Sequence, residues 1–240
     1  LDGDGKPDLV VFCGSKVTAM RNTGTVASIS FAPSVTVEVP GEFNYDIAVA
    51  DIDGDRKAEL IGVHQNSDNL AVWRNTSTAG SLSFAGSVTF PASLDPLGLA
   101  IADIDGDGKN DVAVSNNLSG LGSVSIFRNL STTGTISLDG KIDFTVGISP
   151  YGICIADFDG DGKPDVATAD HEISLLRNTS SSGTIIFDAA LSVHTVINPN
   201  YLVAADFNGD SKPDKVGVAD FNDRLLVIRN KLTEPTITSF

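Results

Sequence analysis

Cysteine is scarce in this 240-residue chain, with only Cys13 and Cys154, one in each of two different repeats, so no disulfide framework can define the fold. At the position of Cys154 the other complete repeats carry Ala48, Ala100 and Val203, which favours a small packing residue over a bridge. Basic residues are also few, 16 Lys and Arg against 31 Asp and Glu, and the resulting formal charge of −15 excludes the basic surface that nucleic acid requires. No apolar run approaches the length that crosses a bilayer, so membrane insertion is not expected. Helical periodicity is missing as well. The three histidines, His64, His171 and His194, fall at different places in their repeats and offer no ligand spacing. No Ser/His/Asp set or isolated carboxylate pair stands out, so the chain is not expected to be an enzyme.

What it has in quantity is one acidic nonapeptide, repeated. Asp51-Ile-Asp53-Gly-Asp55-Arg-Lys-Ala-Glu59 recurs as Asp103 to Asp111, Asp157 to Asp165 and Asp206 to Asp214. A first copy, Asp2-Gly-Asp4-Gly-Lys-Pro-Asp8, lacks its leading residue. Equivalent positions (Asp2, Asp53, Asp105, Asp159, Asn208) are separated by 51, 52, 54 and 49 residues. Eighteen of the 31 acids lie in these loops, and five divalent ions would reduce the net charge to an ordinary value of about −5. Carboxylates at positions 1, 3, 5 and 9 of a glycine-rich loop crowd hard oxygen donors around one point, which a cation makes tolerable, and the donor type suits calcium.

Around each loop the pattern reads as four strands. An apolar run precedes it (Ile47–Ala50, Leu99–Ala102, Ile153–Ala156, Leu202–Ala205) and another follows it (Leu9–Phe12, Leu60–Val63, Val112–Ser115, Val166–Ala169, Val216–Ala219). A third run ends in Arg-Asn at 21–22, 74–75, 128–129, 177–178 and 229–230, and a fourth is expected at Phe31, Phe84, Leu138 and Phe187, nine residues past the Asn. Strands on both sides of the loop exclude helix-flanked calcium motifs. The fold expected is all-β, a β-propeller of four-stranded antiparallel blades, one domain over 1–240 with repeats at about 1–44, 45–96, 97–150, 151–199 and 200–240.

Asp-x-Asp-Gly-Asp-Gly-Lys-x-Asp at 103–111 and 157–165, within repeats of about fifty residues, resembles the FG-GAP/VCBS-repeat family, which includes the integrin α-subunit head and many bacterial surface proteins. The resemblance spans the chain. It implies side-chain ligands at positions 1, 3 and 5, a backbone carbonyl at 7 and a carboxylate at 9. These are Asp51, Asp53, Asp55, Lys57 and Glu59; Asp103, Asp105, Asp107, Lys109 and Asp111; Asp157, Asp159, Asp161, Lys163 and Asp165; Asp206, Asn208, Asp210, Lys212 and Asp214; and, without position 1, Asp2, Asp4, Lys6 and Asp8. The lysines would supply carbonyls while their ammonium groups point to solvent. Arg56 for Gly and Glu59 for Asp should weaken the second site, Asn208 and Ser211 remove a charge and a glycine from the fifth, and the first lacks a ligand.

The family's rings commonly have seven blades. Only ten residues follow Asn230, so the five repeats read either as a five-bladed ring short of one inner strand or, the favoured reading, as an arc of a larger ring completed by the rest of a longer parent or by another chain. Family partners engage the face opposite the calcium loops, where Tyr45, Tyr151 and Tyr201 sit beside Asn and Asp. The expected role is therefore an extracellular or cell-surface calcium-binding adhesion module for a protein or glycan. The alternatives are a lectin-like propeller, a spacer and a polysaccharide-active enzyme domain.

Overall fold

A computed structural model describes residues 1–38, 44–118, 120–169, 171–193, 199–219 and 224–230. Apart from one 3₁₀ turn at Gln65–Ser67, its regular structure is β. Five antiparallel sheets follow one another in chain order. The first contains β1 (Leu9–Cys13), β2 (Lys16–Met20) and β3 (Val35–Glu38). The second contains β4 (Asn44–Ala50), β5 (Glu59–His64), β6 (Asn69–Asn75) and β7 (Phe84–Pro91). The third contains β8 (Pro96–Ala102), β9 (Asp111–Leu118), β10 (Leu121–Phe127) and β11 (Ile142–Val146). β12 (Gly152–Ala156), β13 (Asp165–Ala169), β14 (Ile173–Leu176) and β15 (Leu191–Val193) form the fourth, and β16 (Tyr201–Ala205), β17 (Asp214–Ala219) and β18 (Arg224–Ile228) the fifth.

Each sheet is a plain meander; in the second to fifth the acidic loop joins the first two strands, and in the first it leads into β1. The first strands lie side by side from sheet to sheet, β4 against β8, β8 against β12 and β12 against β16. Their approach is close enough to dictate sequence. A Cβ on Gly98 would lie 2.5 Å from the Tyr151 carbonyl oxygen, and one on Gly152 would lie 2.8 Å from that of Asn200.

Burial explains the continuous apolar runs. Every residue of β5 and of β13 is buried, because neighbouring sheets cover both faces, whereas β7 is mostly exposed. The core is a series of layers between sheets: Val17 with Leu60, Ala71 and Trp73; then Ile61, Val63, Leu70 and Val72 with Val112, Val114 and Phe127; then Val124 and Ile126 with Val166 and Leu176. Trp73 is thus a packing residue, and His64 and Cys154 are buried too. The Cys13 side chain lies outside the described residues.

The fourth strand corrects the expectation from sequence. Phe31, Leu138 and Phe187 make isolated bridges to Asn22, Asn129 and Asn178, and the strands proper begin only at Val35, Ile142 and Leu191. Only in the second sheet does the strand start at Phe84, opposite Asn75. The fourth strands are mostly exposed, with burial patterns that alternate too weakly to place their start.

The layering stops at the fifth sheet. Position 2 of the loop is 2% exposed at Ile52 and 1% at both Ile104 and Phe158, where the following sheet covers it, but 55% at Phe207. Leu225 and Val227 are likewise exposed where Leu70 and Val72 are fully buried. Truncating Phe158 to Ala should therefore cost about 3–5 kcal/mol, whereas Phe207→Ala should change stability by less than about 0.5 kcal/mol. Chemical denaturation midpoints of the two variants check this contrast.

Candidate metal centre

Each loop is wound by its own carboxylates. In the third, Asp103 accepts the N–H groups of Asp107 (3.0 Å) and Gly108 (2.9 Å), Asp105 accepts that of Asp107 (3.0 Å), and Asp107 accepts that of Lys109 (3.0 Å). The fourth repeats the pattern, with Asp157 taking the N–H groups of Gly160 and Gly162. Such curling needs positive φ at position 6, and Gly108 (+88°) and Gly162 (+86°) adopt it at no steric cost. Arg56 (+69°) and Ser211 (+67°) are held in the same conformation against the preference of an L side chain.

Position 9 begins the second strand and is buried: Glu59 and Asp111 are fully covered, and Asp165 and Asp214 nearly so. Its two oxygens are held by different parts of the repeat. Asp111 Oδ2 accepts the N–H of Ile104 at position 2 (2.9 Å), and Oδ1 accepts the N–H of Asn129 from the Arg-Asn pair (2.8 Å). Glu59, Asp165 and Asp214 do the same with Ile52 and Asn75, Phe158 and Asn178, and Phe207 and Asn230.

These windings bring three acidic triads together: Asp51, Asp53 and Glu59; Asp103, Asp105 and Asp111; Asp157, Asp159 and Asp165. Within each, one oxygen per residue lies within 4.8 Å of the others. Every donor is a carboxylate oxygen, which fits a hard divalent cation and not a metal that prefers nitrogen or sulfur. The electrostatics point the same way. Burial pushes Asp111 up to about 6 from 3.8, with the charges of Asp105 and Asp107 adding to it, and burial also raises Glu59 and Asp165. A cation would relieve that strain.

Position 5 belongs elsewhere. Asp55, Asp107 and Asp161 are not part of the triads; each faces the arginine of its own Arg-Asn pair. The same arginines reach position 3, with Arg74 Nε 2.8 Å from Asp53 Oδ2 and Arg128 Nε 2.6 Å from Asp105 Oδ2. Burial raises Asp53 and Asp105, but the arginine, together with the N–H groups of Gly134 and Asp55 at the one and Gly183 and Asp107 at the other, outweighs it and holds both below the usual carboxylate range. The lysine ammonium groups also depart from expectation. Lys109 and Lys163 Nζ donate to the carbonyls of Ser131 and Ser180 rather than standing in solvent.

Among the described residues the first and fifth loops form no such triad. In the fifth, the Asn208 amide donates to Asp214 Oδ2 (2.9 Å), so an N–H takes up the carboxylate that an ion would bind elsewhere. In the first, the Leu1 ammonium lies 2.7 Å from Asp8 Oδ2, while Asp2 and Asp4 accept backbone N–H groups. Of the tyrosines, Tyr151 and Tyr201 stand at the end of β12 and β16 away from the loops. There they line, with Asp46, a cavity of about 110 Å³. The Tyr45 side chain lies outside the described residues.

Sequence reasoning missed the full use of the Arg-Asn asparagine. Its Oδ1 caps the turn that follows, as in Asn129 to the Ser131 N–H (2.8 Å), and its Nδ2 donates to the position-2 carbonyl of the preceding sheet's loop, Asn129 to Ile52 (2.8 Å). The invariance of this Asn across all five repeats was the available signal.

The FG-GAP-like repeat model matches residues 1–62, 51–114 and 107–168, more than half of the chain, and the protein belongs to that family of repeat proteins. No curated protein matches it.

The raised carboxylates fix a pH dependence. With no cation bound, the native state holds the extra proton on Asp111 between about pH 4 and 6, so stability is greatest below the unfolded value and is lost as pH rises through about 6. The rise from 3.8 to about 6 corresponds to roughly 3 kcal/mol. In EDTA the melting temperature should therefore increase as pH falls from 7 to 5, and thermal melts across that interval check it.

Proposed function

We propose that this protein is a calcium-stabilised extracellular module of propeller type that binds a partner rather than catalysing a reaction. The observation that carries the reading is the threefold recurrence of an oxygen-only triad at the junction of the first two strands of a sheet. Asp51, Asp53 and Glu59, and their equivalents, would hold the ion. Bound there, calcium supplies positive charge and a cross-link between two loop ends. The chain's own residues do the rest: position 1 winds the loop, position 9 ties it to the Arg-Asn turn, and the arginine restrains positions 3 and 5. Recurrence in three loops suits a scaffold, since a catalytic ion needs one unique open position beside an acid or base.

An extracellular setting suits such loops, because weak extracellular calcium modules bind at roughly 10⁻⁴–10⁻³ M and fill at the millimolar calcium found outside cells. Among the described residues no helix is long and apolar enough to cross a membrane. The partner face is the one bearing Tyr151 and Tyr201 with Asp46, where aromatic surface adjoins hydrogen-bonding groups as protein and glycan contacts require. The exposed apolar surface of the fifth sheet is where further sheets of the ring would stack.

At ten times its dissociation constant each ion adds about 1.4 kcal/mol, so three would raise the melting temperature by roughly 10 °C. A melt that does not respond to millimolar calcium or to EDTA sinks the reading. For the partner, Tyr151→Ala and Tyr201→Ala should each weaken binding at least about tenfold without changing the calcium response. A glycan array in millimolar calcium distinguishes a sugar from a protein partner.

A further inference from the structure

The position-3 aspartate has more holders than its own loop provides. Asp53 Oδ2 accepts Arg74 Nε from its own sheet and also the N–H of Gly134 (2.9 Å), which belongs to the turn after the Arg-Asn pair of the next sheet. Asp105 Oδ2 likewise accepts Arg128 Nε and the N–H of Gly183 (2.8 Å), and Asp2 Oδ2 accepts the N–H of Gly80 (3.0 Å). A carboxylate oxygen has two lone-pair directions, so Oδ2 is fully used at Asp53 and Asp105. Oδ1 accepts one backbone N–H, that of Asp55 or Asp107, and is the oxygen with capacity left for a cation.

Space does not select the three glycines, since a Cβ on Gly134 or Gly183 would meet only an arginine tip at 3.8 Å and one on Gly80 would meet nothing. Their φ values of +85° to +87° do, because that conformation turns the N–H toward the upstream loop. The asparagine of the same turn adds a second tie to that loop. Asn75, Asn129 and Asn178 Nδ2 donate to the carbonyls of Leu1, Ile52 and Ile104 at 3.0, 2.8 and 2.8 Å.

We propose that each cation site is built by two sheets: the downstream sheet's glycine turn holds the position-3 aspartate with Oδ1 facing the triad, and thereby sets the affinity of the upstream loop. The proposal rests on the calcium reading above. Gly134 serves the Asp51–Glu59 loop and Gly183 the Asp103–Asp111 loop as positioning residues, without touching the ion. The Asp157–Asp165 loop lacks this support in sequence, because the fifth repeat carries Pro235 where the glycine stands, and proline has no N–H. Two loops of identical ligand type, at 103–111 and 157–165, therefore differ in affinity for a reason that lies outside both.

Calcium titration of the 240-residue chain, followed through the amide resonances of Gly54, Gly108 and Gly162, reads the three loops separately. In the unmodified chain the Gly108 loop should bind more tightly than the Gly162 loop. Replacing Ser182-Gly183 by Val-Ala, the residues of the first repeat's turn (Val26-Ala27), should weaken the Gly108 loop by about tenfold or more, with the other two unchanged. The same graft at Thr133-Gly134 should move only the Gly54 loop. Pro235→Gly should tighten the Gly162 loop, a gain that misfolding cannot imitate. Unchanged affinity at Gly108 in the first graft overturns the proposal and leaves the calcium reading standing. If that graft unfolds the chain, a Pro235→Gly variant with no gain overturns it instead. Should no loop of the unmodified chain respond to calcium, the underlying reading fails and this one with it.

Discussion

A carboxylate buried at the first residue of the second strand in the second to fifth sheets is the constraint to which the rest of the repeat conforms. Position 9 cannot be solvated, so both its oxygens must be met from within, and the two N–H groups that meet them come from position 2 of the loop and from the Arg-Asn turn. One side chain thus fixes where the loop begins, where the third strand ends and how far apart they lie. The glycines, the Arg-Asn pair and the apolar residue at position 2 are the sequence consequences of that geometry. The same burial disfavours the charged form, and the rise of the Asp111 pKa to about 6 is the measure of that cost.

Two different cations share the loop's negative charge. The arginine takes the outer half, positions 3 and 5, where it is partly exposed and hydrogen-bonded. Positions 1, 3 and 9 are left facing each other within 4.8 Å, a spacing at which like charges repel by roughly 3–4 kcal/mol per pair at an effective dielectric of about 20. The arginine cannot serve both halves, because its planar fork is committed to the Oδ2 side. The inner half is therefore the place for an ion, and the fifth loop shows what replaces one. Asn208 removes a charge at position 3, and its amide supplies a neutral donor to Asp214.

Much of this was legible in the sequence because repetition multiplies weak signals. The acidic loops and the two inner strands of each sheet were readable: carboxylate spacing is unambiguous, and a doubly covered strand gives an unbroken apolar run such as Leu60–Val63. The outer strand was not, since β7 and β15 face solvent and Phe31, Leu138 and Phe187 pack at bridges that precede the strand. Position 5 carries ligand spacing in the sequence, and spacing alone does not show that an arginine 16 to 21 residues later faces it. Contacts between sheets were invisible for a similar reason. Gly134 and Asp53 are 81 residues apart, and a glycine in a Ser/Thr turn looks like any other turn residue.

Repetition also separates scaffold from novelty. Whatever recurs in every repeat is explained by the stacking of sheets, so a binding function must be sought where one repeat departs from the others. Asp46 is such a departure. Its counterparts Gly98 and Gly152 are glycines because the neighbouring first strand leaves no room for a side chain. At the second sheet β4 shifts register between Asn44 and Asp46, as β8 does between Pro96 and Gly98, and the Asp46 carboxylate accepts the N–H of Leu99 in the next sheet (2.9 Å). The bulge thus belongs to the repeat, and what is particular to the second sheet is the acid it carries, which ties that sheet to the next. It lies at the end of the strands bearing Tyr151 and Tyr201, away from the triads. The triads thus lie at one end of the sheets, and the Asp46 carboxylate lies with Tyr151 and Tyr201 at the other.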